Sequence, residues 1–304
     1  MRRDRRYSWQ VLGTLGLVVG CSLGGVAYAT EPIFLTQARP NLSPAEAALE
    51  RGLALIQQGQ VASAIAAFQE ATGLDPALAP AHYNLGLVLR QTGDLQGAAS
   101  AFWQAIQADP QFAMAYSNLG ASLWEGGNLD QAVDYLERAI EIQPDLGNAH
   151  YNLGLVHMAR GDLESARAAL HRATELTPSA PEPYFHLGRL YMQQRQLPAA
   201  IAAFEQAITR FSGYVEAHYN LGVALYAQGS YPEALESFRT TTDLNPNYAN
   251  AYYSAGLAFT RLGDYEEAEG VLGHAKTLYI TQNNPQWAAN TQAQLDRIAD
   301  LKAQ

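Results

Sequence analysis

Three histidines recur at a spacing that invites a metal site. His82, His150 and His218 lie 68 residues apart, and neutral imidazole is the commonest side-chain ligand for a metal. The interval argues against it. A whole repeat of the sequence separates each pair, so the three rings cannot converge on one ion, and they read as packing residues. His150 and His157 share a helix side, but it is the apolar side, with no acid beside them. Asp94, Asp162 and Asp264 each follow a glycine and read as helix caps. No Ser/His/Asp set, phosphate-binding glycine loop or metal-binding carboxylate cluster appears. Cys21 is the only cysteine, which excludes an internal disulfide and any cysteine-based zinc or iron–sulfur centre. These absences predict a protein that is not an enzyme and holds no cofactor or metal. Recognition chemistry remains. Asparagine stands at 84, 118, 152 and 220, and tyrosine at 83, 151, 219 and 253. An amide offers a donor and an acceptor together, so a column of amides can pair with the main chain of an extended peptide whatever its sequence.

The elements that would position these residues follow from a 34-residue period. Leu-Gly recurs at Leu85-Gly86, Leu119-Gly120, Leu153-Gly154, Leu187-Gly188 and Leu221-Gly222, and the phase extends to Gly52 and Gly256. Twelve residues after each glycine stands alanine, from Ala64 to Ala268. Four further on is Phe or Leu: Phe68, Phe102, Leu136, Leu170, Phe204, Phe238 and Leu272. Proline closes five units, at Pro76, Pro110, Pro144, Pro178 and Pro246. Mid-unit Gly93-Asp94, Gly127-Asn128, Gly161-Asp162, Gly229-Ser230 and Gly263-Asp264 suit a helix that ends in left-handed glycine before a capped second helix. One such pair cannot bury its apolar stripe alone, so neighbours must cover it. Ser43-Pro44-Ala45-Glu46 is a capping-box pattern that starts the first helix. Trp287, Thr291, Leu295, Ile298 and Leu301 mark a final one-sided helix that covers the last repeat. The fifth unit has Arg195 in place of the turn glycine and Ser212-Gly213 in place of proline, which predicts a bend or looser packing over residues 195–214.

This pattern resembles the tetratricopeptide repeat family across residues 45–282. The resemblance implies an all-α fold: about seven antiparallel helix hairpins stacked as a right-handed α-solenoid with a concave inner face, closed by a capping helix over 283–304. It also implies a binding groove. With the Leu-Gly glycine at position 8 of each first helix, positions 4, 7, 8 and 11 cluster on one side and positions 2, 5, 6, 9, 12 and 13 fall opposite, at about 100° per residue. In the family the second stripe lines the groove. Here position 6 reads Asn84, Asn118, Asn152, His186, Asn220 and Ser254, and position 5 reads Tyr83, Ser117, Tyr151, Phe185, Tyr219 and Tyr253. The wording looks like the asparagine ladder of the repeat superhelix in the O-linked sugar transferases, matched at Asn84, Asn118, Asn152 and Asn220 and interrupted at His186 and Ser254. The same stripe carries Glu46, Glu50, Glu125, Glu182 and Glu216 against Arg90, Arg189 and Arg261. It lacks the lysines with which other members grip a C-terminal carboxylate. The expected groove residues are therefore Asn84, Asn118, Asn152, Asn220, Tyr83, Tyr151, Tyr219, Tyr253, His186, Arg90 and Arg189, and alanine at Asn118 and Asn152 is expected to weaken partner capture without lowering stability.

The N-terminus points to export. Met1–Arg6 is strongly basic, and Trp9–Ala29 carries no charge. Three readings fit: a signal peptide cut after Ala27-Tyr28-Ala29; a lipobox, Val18-Val19-Gly20-Cys21, that would make Cys21 a lipidated N-terminus; or an uncleaved anchor over 1–29. Each places the remainder in an extracytoplasmic, periplasm-like compartment, soluble or attached to the membrane, and residues 30–44 read as a linker. The first 40 residues hold five arginines and two acids, which leaves 14 basic residues against 27 acidic ones. A body that acidic excludes a nucleic-acid partner, because phosphate neutralisation needs a basic surface. The expected activity is an exported scaffold whose groove binds an extended segment of another protein or part of a multiprotein complex. The alternative is a membrane-anchored lipoprotein that assists assembly of an envelope complex.

Overall fold

The computed structural model describes residues 42–303; the expected signal or anchor over 1–29, Cys21 and most of the linker lie outside the described residues. Among the described residues there are fifteen helices and no strand, and none of the helices is long and apolar enough to cross a membrane. They fall into two compact units. The first unit runs to Leu176. It holds α1 (Pro44–Gln57), α2 (Val61–Leu74), α3 (Ala79–Gln91), α4 (Leu95–Ala108), α5 (Ala113–Glu125), α6 (Leu129–Ile142), α7 (Gly147–Arg160) and α8 (Leu163–Leu176). The second starts at Thr177. It holds α9 (Glu182–Gln193), α10 (Leu197–Arg210), α11 (Val215–Gln228), α12 (Tyr231–Leu244), α13 (Ala249–Leu262), α14 (Tyr265–Thr281) and α15 (Pro285–Lys302).

The described residues are all-α, with four helical hairpins stacked as a solenoid in the first unit and three in the second, where α15 is the terminal cover. The helix starts and stops obey the local code. Ser43 and Glu46 form a reciprocal capping box on α1. Asp94 accepts from the Gly97 N–H at 2.8 Å and Asp162 from the Ser165 N–H at 3.2 Å, whereas Asp264, expected to do the same, makes no capping bond. Gly161 ends α7 at φ 78° and Gly229 ends α11 at φ 95°, a backbone region costly for residues with a Cβ.

Inside each hairpin the small and large positions interlock. A Cβ on Gly86 would lie 2.7 Å from the Phe102 ring, and one on Gly222 would lie 2.5 Å from that of Phe238. Bare backbone is therefore what lets the ring of the second helix seat against the first. Phe68, Phe102 and Phe204 are wholly out of water, and each contributes about 2–3 kcal/mol by that burial. The looser packing expected over residues 195–214 is not found in the core of this hairpin. Arg195 takes the left-handed turn itself, at φ 58°; α10 is full length, and Ala200, Phe204 and Ala207 are completely buried. The side-chain contacts of the hairpin outweigh the unfavourable dihedral at one residue.

Candidate functional site

Within each unit the first helices of successive hairpins touch, α3 with α5 and α5 with α7 in one, α9 with α11 and α11 with α13 in the other, while the second helices are set further apart. Each unit therefore curves toward its first helices, and the stripe of positions 2, 5, 6, 9, 12 and 13 lines the inner side.

In the unit ending at Leu176 positions 5 and 6 of this stripe are buried in α3, α5 and α7. Asn118 is 1 % exposed and Asn84 2 %, and Tyr83, Ser117, Tyr151 and Asn152 are buried with them. Their polar atoms face inward. The Asn118 amide donates to the Met114 carbonyl at 3.1 Å and to the Tyr83 hydroxyl at 3.3 Å, and its Oδ1 accepts from the Arg90 guanidinium at 3.0 Å. Asn84 donates to the Pro80 carbonyl at 2.8 Å, and Asn152 approaches the Ser117 hydroxyl at 3.5 Å. Arg90 is engaged as well. Its Nε and Nη2 fork onto Glu125, with the closest contact 2.7 Å, and both side chains are largely covered. The expectation that Asn84, Asn118, Asn152, Tyr83, Tyr151 and Arg90 present themselves to a ligand is therefore corrected. Tyr83, Arg90, Asn118 and Asn152 tie one hairpin to the next, and Asn84 is turned onto its own helix. The physical reason is azimuthal: positions 5 and 6 sit at the border of the core, and neighbouring hairpins meet there, Asn118 reaching back to Tyr83 and Asn152 to Ser117.

The unit beginning at Thr177 differs. Its inner stripe keeps Tyr219, Asn220, Tyr226, Tyr253 and Ser254 half-exposed, and Arg189 exposed. Asn220 donates its amide to the Glu216 carbonyl at 2.7 Å, and its Oδ1 accepts no hydrogen bond from the described residues. Tyr219 packs on Tyr248 with centroids 5.0 Å apart, and Tyr253 meets Trp287 of α15 edge-on at 5.4 Å. Trp287 in turn stacks on Tyr279, whose hydroxyl donates to the Asn250 Oδ1 at 2.6 Å. These phenols are near neighbours. Burial, then the Tyr219 hydroxyl and the Glu216 carboxylate, push Tyr248 up to about 12. Burial, then Tyr219, Tyr253 and Tyr248, push Tyr279 higher still. Tyr214, buried at the start of α11, is held up by burial and then by Glu182 and Glu216.

His186 is the exception in this unit. It is 8 % exposed, its ring meets Phe185 edge-on at 5.2 Å, and burial followed by the Arg189 charge pushes it down to about 3. It is a neutral interior residue, not the groove residue expected. Arg189 itself lies over the Phe185 ring at 6.0 Å.

The spaced histidines have a role that their intervals do not reveal. The Nε2 atoms of His82, His150 and His218 lie 3.0, 3.0 and 2.9 Å from the carbonyl oxygens of Pro76, Pro144 and Ser212. A carbonyl only accepts, so each Nε2 carries the proton. The rings pin the turn that enters each first helix. For His82 and His150 the sequence cue was position 4 following a proline by six residues; His218 follows Ser212 at the same interval. Among the described residues no group of three His, Cys, Asp or Glu side chains could hold a metal ion.

Comparison with known proteins agrees with this architecture. The tetratricopeptide repeat model matches in overlapping segments over residues 36–181 and 185–275. Among solved structures the chain is similar to YrrB, described as a TPR protein with an unusual peptide-binding site: TM-score 0.56, 24 % identity, 64 % of this chain and 100 % of that one. It is similar to PilW, a widely conserved type IV pilus biogenesis factor, at TM-score 0.63 and 20 % identity over 69 % of this chain and 97 % of that one. It is also similar to pilF of Pseudomonas aeruginosa, at 0.59 and 20 % over 67 % and 92 %. These likenesses are of fold. No match was found among curated proteins. The repeat model covers most of the chain, the hairpins recur at its period, and their small and large positions interlock as the repeat requires: the chain belongs to the tetratricopeptide repeat family.

Proposed function

We propose that this protein-interaction scaffold is exported and captures an extended segment of another protein on the inner side of the unit beginning at Thr177. One observation carries the reading. Asn220, Tyr219 and Tyr253 stand half-exposed on that side, with Tyr226 half-exposed beside them, whereas the residues matching the first three, Asn118, Asn152, Tyr83 and Tyr151 of the preceding unit, are buried. Tyrosine rings give contact area with little rotamer entropy to lose, and the open Asn220 carbonyl can accept a main-chain N–H. A surface held by packed helices limits the ordering cost of binding.

Site-specific cross-linking tests the capture. A photoreactive residue at Tyr226, on the inner side, and one at exposed Glu236 of α12, are compared in the full chain in its native cell. Discrete adducts from position 226 and none from 236 are expected. Adducts from 236 alone would refute the inner side as the binding surface.

Cys21 supports a second reading. In the sequence Val18-Val19-Gly20-Cys21 it resembles a lipidation site, and a lipid-anchored repeat protein of this fold would serve as an assembly factor for an envelope complex; PilW, similar in fold, is described as a pilus biogenesis factor. The mass of the mature N-terminus decides: Thr30 free, Cys21 acylated or Met1 retained.

A further inference from the structure

The seven hairpins form an internal alignment, because equivalent positions can be compared within one chain. Position 2 of the first helices reads Glu46, Pro80, Met114, Asn148, Glu182, Glu216 and Asn250. Glu46 is held in the α1 capping box. Glu182 and Glu216 are half-buried on the inner side of adjacent, touching helices α9 and α11. Neither makes an ion pair within the described residues. Glu125, one of the inner-side acids of the first unit, is by contrast neutralised by Arg90.

The surroundings of the two open carboxylates are aromatic. Tyr214 lies close enough to both for each to raise its hydroxyl, and its ring packs on Phe185 with centroids 4.9 Å apart. Tyr219 and Tyr248 follow at 5.0 Å, with Glu216 close to the Tyr248 hydroxyl. Tyr226 and Tyr253 continue the row toward Trp287. Arg189, on the same helix as Glu182, is turned over the Phe185 ring. Carboxylates without counter-ions and the electron-rich faces of tyrosines attract the same partner, a cation, and the attraction grows as water is excluded.

We infer that the segment captured on this side is basic, a polyproline-like stretch with Lys or Arg at every third residue whose cations seat against Glu182 and Glu216 and over the half-exposed rings of Tyr219 and Tyr226. The inference rests on the inner-side capture proposed above and adds the chemistry of the occupant. Its period comes from geometry. Packed neighbouring helices lie about 8–10 Å apart, and three residues of a polyproline helix advance about 9 Å and return to the same face. Cations at i and i+3 therefore meet both carboxylates, whereas an i, i+2 spacing brings only one into place. The excess of acidic residues across the body, 27 against 14, favours the approach of such a segment.

The experiment uses the full chain and a fluorescent proline-rich peptide with lysines at i and i+3. Its counterparts carry norleucine or glutamate at those sites, or lysines at i and i+2. Anisotropy titration should show the i, i+3 lysine peptide binding about tenfold more tightly than the norleucine peptide. The preference should fall with added salt. The double variant Glu182→Gln/Glu216→Gln, checked for an unchanged unfolding midpoint, should bind lysine and norleucine peptides alike, and Glu216→Lys should turn the preference toward glutamate. Equal affinity of the lysine and norleucine peptides for the native chain overturns the inference yet leaves inner-side capture standing. A lysine preference that survives in the double variant overturns it too, by placing the cation site elsewhere. Failure of all the peptides to bind overturns it, and cross-linking at position 226 then reports separately on capture.

Discussion

The Arg90 guanidinium forks onto the Glu125 carboxylate across two neighbouring first helices, 2.7 Å at its closest, while its third nitrogen holds the Asn118 carbonyl oxygen at 3.0 Å. The two side chains are only 12 % and 14 % exposed, so the pair is a joint between hairpins and not a handle for a ligand. Removing one member strands the other's charge away from water. Arg90→Ala should cost about 2–4 kcal/mol, read as a lower urea midpoint. Arg90→Met combined with Glu125→Gln should recover most of that loss. A midpoint unchanged in the single variant would mean that the pair is solvated.

The interlocking of glycine and ring predicts a graded cost. Gly86→Ala would place a methyl 2.7 Å from the Phe102 ring, deep in a filled layer. Overpacking of this kind typically costs about 1–3 kcal/mol. Gly86→Ala with Phe102→Leu should be less destabilised than Gly86→Ala alone, because Leu136, Leu170 and Leu272 already fill the same position in other hairpins. Thermal unfolding of the two variants makes the comparison.

Arg195 predicts a gain. At φ 58° it occupies a turn that glycine fills in the other hairpins, such as Gly161 and Gly229. The left-handed region costs a residue with a Cβ about 1–2 kcal/mol, partly offset by the greater freedom of unfolded glycine. Arg195→Gly should raise the melting temperature slightly; a fall would show that the arginine side chain supports the turn.

His186 makes the second unit sensitive to acid. Burial holds it near 3 in the fold, against 6.5 for a free imidazole. The unfolded chain therefore takes up a proton that the folded chain refuses. Stability is fully present above about pH 6.5 and falls as the pH drops from there toward 3. His186→Asn, which restores the residue found at this position in most hairpins, should lower the acid midpoint of unfolding measured by circular dichroism. An unshifted midpoint would place the acid-labile group elsewhere.

Much of this fold was legible in the chain. The 34-residue period, the capping box at Ser43 and the turn glycines located the hairpins to within a residue or two, because those features act locally. The inner face was legible only in part. A helical wheel gives the direction of Asn118 but not what lies against it, and Tyr83 of the preceding hairpin covers it. A cue was present: Tyr83 and Asn118, Ser117 and Asn152, and Arg90 and Glu125 are each 35 residues apart, one repeat plus one, the offset that brings neighbouring first helices face to face. The half-exposed tyrosines near α15 had no comparable cue, since their setting depends on where Trp287 of the final helix comes to rest.

The most direct test sets two double variants side by side against the partner trapped at position 226. Asn118→Ala/Asn152→Ala should lower stability by about 1–3 kcal/mol, read as a lower unfolding midpoint, through lost buried hydrogen bonds, and leave partner affinity nearly unchanged. Asn220→Ala/Tyr226→Ala should leave the midpoint almost untouched and weaken the partner by about tenfold or more. Loss of affinity in the first pair, with the second binding as tightly as the native chain, would contradict the account.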